Sequence, residues 1–253
     1  MIEQSFIILE KIGLRTEQKL WQLGIRNWND FLNAAMLPGI GNQRKTYYDR
    51  MLLRAKHALN SYDSSYFNGL LPKSETWRLY DFFKSDAVFL DIETSDKYTD
   101  ITVLSLFDGL RSMTMVKHIN LDVKKLKQHL KRYKLIVTFN GLAFDSVVLE
   151  RYYPGILPRV PHFDLRFACA KLGLTGGLKL IEKKLGIKRQ PLVADMCGNE
   201  AVGLWHAYRA TGKPNYLQKL IAYNEEDACN LKLIADKLYD KLKNLYLNWQ
   251  TTH

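Results

Sequence analysis

Three groups of residues, far apart along the chain, have the types and spacings that chemistry needs. The first lies in the run Ala87-Val88-Phe89-Leu90-Asp91-Ile92-Glu93-Thr94. Side chains alternate across a strand, so Asp91 and Glu93 point to one side while Leu90 and Ile92 point to the other. Two carboxylates side by side on an otherwise apolar strand repel each other and are costly to desolvate. A hard divalent cation such as Mg2+ or Mn2+ relieves both costs, because it prefers oxygen ligands and takes one or two carboxylates from any one element. An edge strand ending in solvent would also accommodate the pair.

The second group is Asn140-Gly141 followed by Asp145. The apolar stretch 135–139 fits a short central strand, Asn140-Gly141 a turn, and Asp145 the first turn of a helix that stops before Pro154. A carboxylate and the Asn140 amide therefore fall at the end of a central strand, where α/β folds commonly bind ligands. An ordinary turn and helix start use the same residue types. The third group is Tyr223 and Asp227, four apart and so on one face of a helix. That face continues through Leu220, Ala228, Leu231, Ile234 and Leu238, a core-facing stripe in which an Asp is expensive unless it binds something.

Elements able to bring these groups together are legible around them. Strands are predicted at 87–93, 101–107 and 112–119, with an Asp108-Gly109 hairpin turn between the last two. A helix at 121–133, the strand at 135–139, a helix at 144–153 and a strand at 162–168 follow. Helices at 178–185, 199–209 and 216–245 complete the chain. This order implies an α/β domain around a mixed sheet flanked by helices. Upstream, residues 1–60 read as a small all-α domain: helices at 16–23, after a cap at Asn27 or Asn29, and at 42–59 are separated by glycine turns. Residues 61–84, with Ser, Asn, Gly and Pro among aromatics, read as a linker ending in a short helix. The expected division is thus 1–60, 61–84 and 85–253.

Composition narrows the partners. With 47% hydrophobic and 25% charged residues among 253, collagen-like and largely disordered chains are excluded. The 37 bases outnumber the 26 acids to give a net charge of +11, which points to a polyanion, nucleic acid before all others. No apolar run approaches the roughly 18 residues that span a bilayer. Cys169, Cys197 and Cys229 are widely separated, so neither a disulfide framework nor a thiolate zinc site is expected. The start of the chain has no secretory character, and the expectation is a soluble cytoplasmic protein with no membrane partner.

Taken jointly, D-x-E on a first strand, N-G-x-x-x-D after a later one and Y-x-x-x-D on a late helix resemble the DEDD exonuclease superfamily of the ribonuclease H-like fold. Tyrosine four residues before the last Asp marks the tyrosine subtype; the histidine subtype would have its His at 222, where this chain has Ala222. The stretches Phe89-Leu90-Asp91-Ile92-Glu93-Thr94, Leu178-Lys179-Leu180-Ile181-Glu182-Lys183-Lys184-Leu185-Gly186 and Tyr223-Asn224-Glu225-Glu226-Asp227 look like the YprB-type ribonuclease H-like domain, over roughly residues 85–245. The resemblance implies a 3′→5′ exonuclease with two divalent cations, Mg2+ or Mn2+, about 4 Å apart. It implies further that Asp91 bridges both ions, that Glu93 and Asp227 each favour one, and that Asp145 holds its ion partly through water. Tyr223 would orient the attacking water or help deprotonate it. Asn140 and Thr94 are candidate substrate contacts.

Two basic clusters fit a backbone-tracking role: Lys117, Lys124, Lys125, Lys127, Lys131, Arg132 and Lys134, and a second of Lys179, Lys183, Lys184, Lys188 and Arg189. Near the N-terminus, Leu37-Pro38-Gly39-Ile40-Gly41 between two helices resembles a helix-hairpin-helix turn. Backbone N–H groups at Gly39 and Gly41 could meet a phosphate there, with Arg44 and Lys45 assisting. Such modules usually serve DNA, so single-stranded DNA 3′ ends are the expected substrate. The alternatives are an exoribonuclease with the same site and a binding protein that keeps the fold without turnover.

Overall fold

The protein is described here from a computed structural model, which covers residues 1–95 and 100–251, with side chains up to 247. Its first helices form where caps and glycines allow. Helix α1 (Leu14–Gln22) starts after Gly13, and the chain turns at Gly24 with φ of 82°. Helix α2 (Trp28–Asn33) has the expected cap: Asn27 accepts from the N–H groups of Asn29 and Asp30, while the Asp30 carboxylate accepts from the Asn27 N–H. Helix α3 (Asn42–Asn60) follows Gly41.

Residues 61–84 pack instead of crossing solvent. They form 3-10 turns at Ser64–Phe67 and Lys73–Leu79 and the short helix α4 (Tyr80–Phe83). Phe67, Trp77, Arg78 and Tyr80 are fully buried. One continuous core runs from Ile2, Trp21 and Phe31 through Phe67 and Trp77 to Phe89, Phe163, Leu238 and Tyr246. The turn-forming residues of this stretch are therefore interleaved with aromatic anchors, and the anchors decide its path. A buried ion cluster reinforces the joint. Arg78 donates from Nη1 and Nη2 to Glu17 at 3.0 and 2.9 Å and from Nε to Glu75 at 2.7 Å, and Lys171 also pairs with Glu75. Removing one partner of a buried pair leaves a charge without compensation. Glu17→Ala is expected to cost roughly 3–5 kcal/mol in urea unfolding; an unchanged midpoint would show that Arg78 is satisfied without it. Deleting residues 1–60 removes the same anion and uncovers the shared core, so that deletion reports on folding before it reports on binding.

Five strands make the sheet: β1 (Ala87–Thr94), β2 (Ile101–Phe107), β3 (Ser112–Val116), β4 (Leu135–Thr138) and β5 (His162–Asp164), in the order β3-β2-β1-β4-β5. β1 pairs antiparallel with β2 and parallel with β4; β5 adds in parallel to β4. The predicted strand at 162–168 ends after three residues. Asp164 accepts from the Arg166 N–H and caps the helix that starts at Leu165 instead.

Helices cover both faces. α5 (Val123–Leu130) is capped by Asp122 and packs Leu126 and Leu130 against Val88, Leu90 and Ile92. α6 (Asp145–Tyr152), α7 (Leu165–Lys171), α8 (Leu178–Lys184) and α9 (Gly198–Thr211) precede α10 (Pro214–Thr251). α10 runs for 38 residues because, after Pro214 in its first turn, it holds neither Pro nor Gly. Its stripe of Leu231, Ile234 and Leu238 shares a core with Phe89, Leu135 and Val137, on the sheet face opposite α5. Among the described residues, no helix is long and apolar enough to cross a membrane.

Candidate active site

Asp91 and Glu93 continue the side of β1 that carries Phe89, which places them beneath α10, as the alternation requires. The β1–β2 register slips between Glu93 and Thr94, a bulge that re-aims the strand end beside the carboxylates. Pairing of β1 with β4 stops at Phe89 and Val137, so the Ile92 N–H has no strand partner on that side. The Asp145 carboxylate from α6 takes it, at 3.1 Å. Asp227 comes from α10, with Tyr223 one turn before it. The carboxylate oxygens of Asp91, Glu93 and Asp227 lie within 4.8 Å of one another. They face a cavity of about 480 Å³ also lined by Thr94, Phe139, Phe144, Leu178 and Asn199.

Such a set resists full ionisation. Burial, then Asp227, Asp145 and Glu93 in turn, raise Asp91 well above the usual carboxylate range. Burial, with Asp227 and Asp145, pushes Glu93 up to about 8. Asp145 is raised to about 7, chiefly by burial. Asp227, also raised by burial but partly restored by Arg189, stands at about 6. Burial and the same carboxylates raise Tyr223, so its hydroxyl is protonated at neutral pH and acts as a donor. Hard oxygen donors at this spacing, held against their own repulsion, fit divalent cations bound by Asp91, Glu93 and Asp227, with Asp145 set behind them.

Several residues that shape the site are not among the acids and tyrosine that the three motifs single out. Asn224, fully buried, donates from Nδ2 to Asp91 Oδ2 at 2.7 Å. Arg189, in the loop after α8, donates to Asp227 and is gripped by Glu182 through Nε at 2.6 Å and Nη2 at 2.8 Å; Asn230 also donates to Glu182, at 3.0 Å. Asp164 accepts from the Asn140, Leu142 and Arg166 N–H groups and so fixes the turn after β4. Partners that orient a ligating carboxylate commonly matter to metal affinity by about 10–100-fold. Arg189→Ala is therefore expected to weaken Mn2+ binding by about that factor in titration calorimetry, and an unaltered dissociation constant would show that Asp227 needs no such support.

The predicted substrate contacts divide. Thr94 lines the cavity, and Lys179 places its Nζ 5.4 Å from the centre of the Tyr223 ring. Asn140 lies one residue beyond Phe139, with its side chain accepting from Arg166. Gly39 (φ 79°) and Gly41 are exposed on the turn between α2 and α3 and Arg44 on the first turn of α3; none of them lines the carboxylate cavity. Lys45 is buried, paired with Asp49 and set over the Phe31 ring, so the structure assigns it to packing. Of the basic clusters, the lysines of α5 lie on the sheet face opposite the carboxylates, and Lys117 pairs with Asp100. Lys179 and Arg189 of the second cluster stand beside Tyr223.

This sheet order, with an acidic cluster at the end of β1 under a long C-terminal helix, defines a ribonuclease H-like domain. Residues 88–239, more than half of the chain, match the model of the RNase H superfamily, and the chain belongs to it. No curated protein and no solved structure shows significant similarity to the chain. The fold generally hydrolyses phosphodiester bonds with divalent metals, and so implies a nucleic-acid substrate.

Proposed function

We propose that this protein is a 3′→5′ exonuclease of the tyrosine DEDD type that removes nucleotides from single-stranded DNA 3′ ends. The observation that carries the reading is the convergence of Asp91, Glu93 and Asp227 on one cavity, with Asp145 and Tyr223 beside them. Mg2+ or Mn2+ held by Asp91, Glu93 and Asp227 would neutralise charge on the phosphate oxygens and acidify the attacking water. Tyr223, protonated, orients that water through its hydroxyl and is not itself a base. Asn224 and Arg189 keep Asp91 and Asp227 aimed into the cavity. Water attacks phosphorus, the bond to the 3′ oxygen of the preceding nucleotide breaks, and that oxygen leaves with a proton. The preference for DNA rests on the exposed turn at 39–41, which resembles a helix-hairpin-helix contact; the +11 charge supports nucleic acid of either kind.

The test is a time course on 5′-labelled single-stranded DNA and matched RNA with Mg2+, Mn2+ or EDTA. A ladder that shortens stepwise from the 3′ end, with metal only and faster on DNA, is the expected result. Faster loss of RNA would make the protein an exoribonuclease. Substrate bound but intact in every lane would leave a binding protein on the same fold.

A further inference from the structure

A second recess, of about 550 Å³, adjoins the carboxylate cavity at Phe139. Its walls are Phe139, Asn140, Arg166 and the Thr175, Gly176 and Gly177 stretch before α8. Phe139 lines both cavities, so the two are neighbours across one aromatic side chain. They differ in charge: three carboxylates face the first, whereas among the described residues no Asp or Glu lines the second.

The arginine in this recess is held in place. Asn140 adopts the left-handed conformation (φ 65°), which turns its Oδ1 to accept from Arg166 Nη1 at 2.6 Å. The Asn140 and Arg166 N–H groups both donate to Asp164 Oδ1, at 2.8 and 3.0 Å, so one buried carboxylate fixes the backbone beneath both residues. Arg166 itself is exposed. Opposite it, Gly176 has φ of 122°, and a Cβ there would sit 2.6 Å from Leu180 Cδ2; the wall is glycine backbone by necessity.

We propose that this recess is a second nucleotide subsite, in which Arg166 binds the phosphate adjacent to the scissile one while Phe139 offers a ring for base stacking. A planar guanidinium matches a phosphate's oxygens, and an aromatic face accepts any base. The absence of lining acids lets this phosphate bind without metal, whereas the first cavity needs cations to receive one. The inference rests on the nuclease reading for the position of the scissile phosphate, and on the recess itself for the rest.

The experiment compares wild type, Arg166→Ala and Arg166→Lys on a single-stranded oligonucleotide and on the p-nitrophenyl ester of thymidine 5′-monophosphate, whose one phosphodiester cannot reach both cavities. For Arg166→Ala, KM on the oligonucleotide is expected to rise on the order of tenfold, with KM and kcat on the ester unchanged. Arg166→Lys, which keeps the charge but not the fork, should fall between. In EDTA, fluorescence anisotropy should show the salt slope of oligonucleotide binding reduced by about 0.7 in Arg166→Ala, the loss of one phosphate contact. Equal losses on both substrates, or an unchanged oligonucleotide KM and slope, would overturn the subsite. If wild type cleaves neither substrate, the exonuclease reading fails, and the EDTA slope still decides whether Arg166 contacts phosphate.

Discussion

Asp91→Asn is expected to abolish cleavage and, at the same time, to raise the melting temperature of the metal-free protein. Asp91 is the carboxylate on which the others press most: its pKa is driven upward by burial and by Asp227, Asp145 and Glu93. Asparagine has nearly the same shape, and its side-chain oxygen can accept from Asn224 as Asp91 Oδ2 does. What disappears is one charge and one cation ligand. Metal-assisted charge stabilisation contributes several kcal/mol to hydrolysis, so kcat should fall on the order of 10³-fold or more. Without metal at pH 8, wild-type Asp91 must take up a proton on folding, a cost that asparagine does not carry, so the melting temperature should rise on the order of 5 °C. Oligonucleotide binding in EDTA should persist, since asparagine keeps the shape and adds no negative charge. Retained cleavage, or a destabilised metal-free variant, would remove Asp91 from the centre of the site.

How much of this was legible in the sequence depends on whether the signal was local. The alternation in β1 places Asp91 and Glu93 on the α10 side and Leu90 and Ile92 on the α5 side, as predicted, because a strand's period of two is fixed by its backbone. The stripe on α10 was equally readable. Within that helix, Tyr223 and Asp227 share one face, and the motif is silent on the three residues between them, which point elsewhere. Asn224 reaches Asp91, Glu225 accepts from Thr114 at 2.6 Å, and Glu226 accepts from the Gln190 N–H at 2.7 Å. The sheet and the loop after α8 supply these three partners, and they lie far away in sequence.

Arg189 and Asp164 show why the rest was hidden. Arg189 was visible as one basic residue among five, but its contact to Asp227 spans 38 residues and arises from how α8 and its following loop pack on α10. Asp164 sits where His162-Phe163-Asp164-Leu165 alternates like a strand, so its capping role was masked by the wrong periodicity. The packing of segment 61–84 was hidden for a related reason. Its turn residues set local direction, whereas burial of Phe67, Trp77 and Tyr80 sets position. Composition reports the first and is silent on the second.

The carboxylate cluster also dictates how metal-free stability changes with pH. Three groups have folded pKa values that are high against their ordinary ones: Asp145 at about 7, Glu93 at about 8, and Asp91 well above the carboxylate range, all chiefly through burial. In the unfolded chain all three are ionised by pH 6.5. Between pH 6.5 and 8.5 the folded state therefore holds more protons than the unfolded one, and stability falls as pH rises. His162, lowered to about 4 by burial, is neutral when folded but still partly protonated when unfolded near pH 6.5, so it opposes this trend only at the low end of the window and by less than any one of the three acids. Asp227, at about 6, is already mostly ionised and contributes little within the window. In EDTA the melting temperature should drop on the order of 10 °C from pH 6.5 to 8.5. Cations bind the deprotonated carboxylates and replace their protons, so saturating Mn2+ should flatten or reverse the slope. Asp91→Asn in EDTA should show a shallower fall than wild type, because one of the three proton sites is gone. A metal-free melting temperature that holds steady or climbs across this window would mean that Asp91, Glu93 and Asp227, with Asp145 behind them, are not as close together as the structure places them, and the metal site would have to be sought elsewhere.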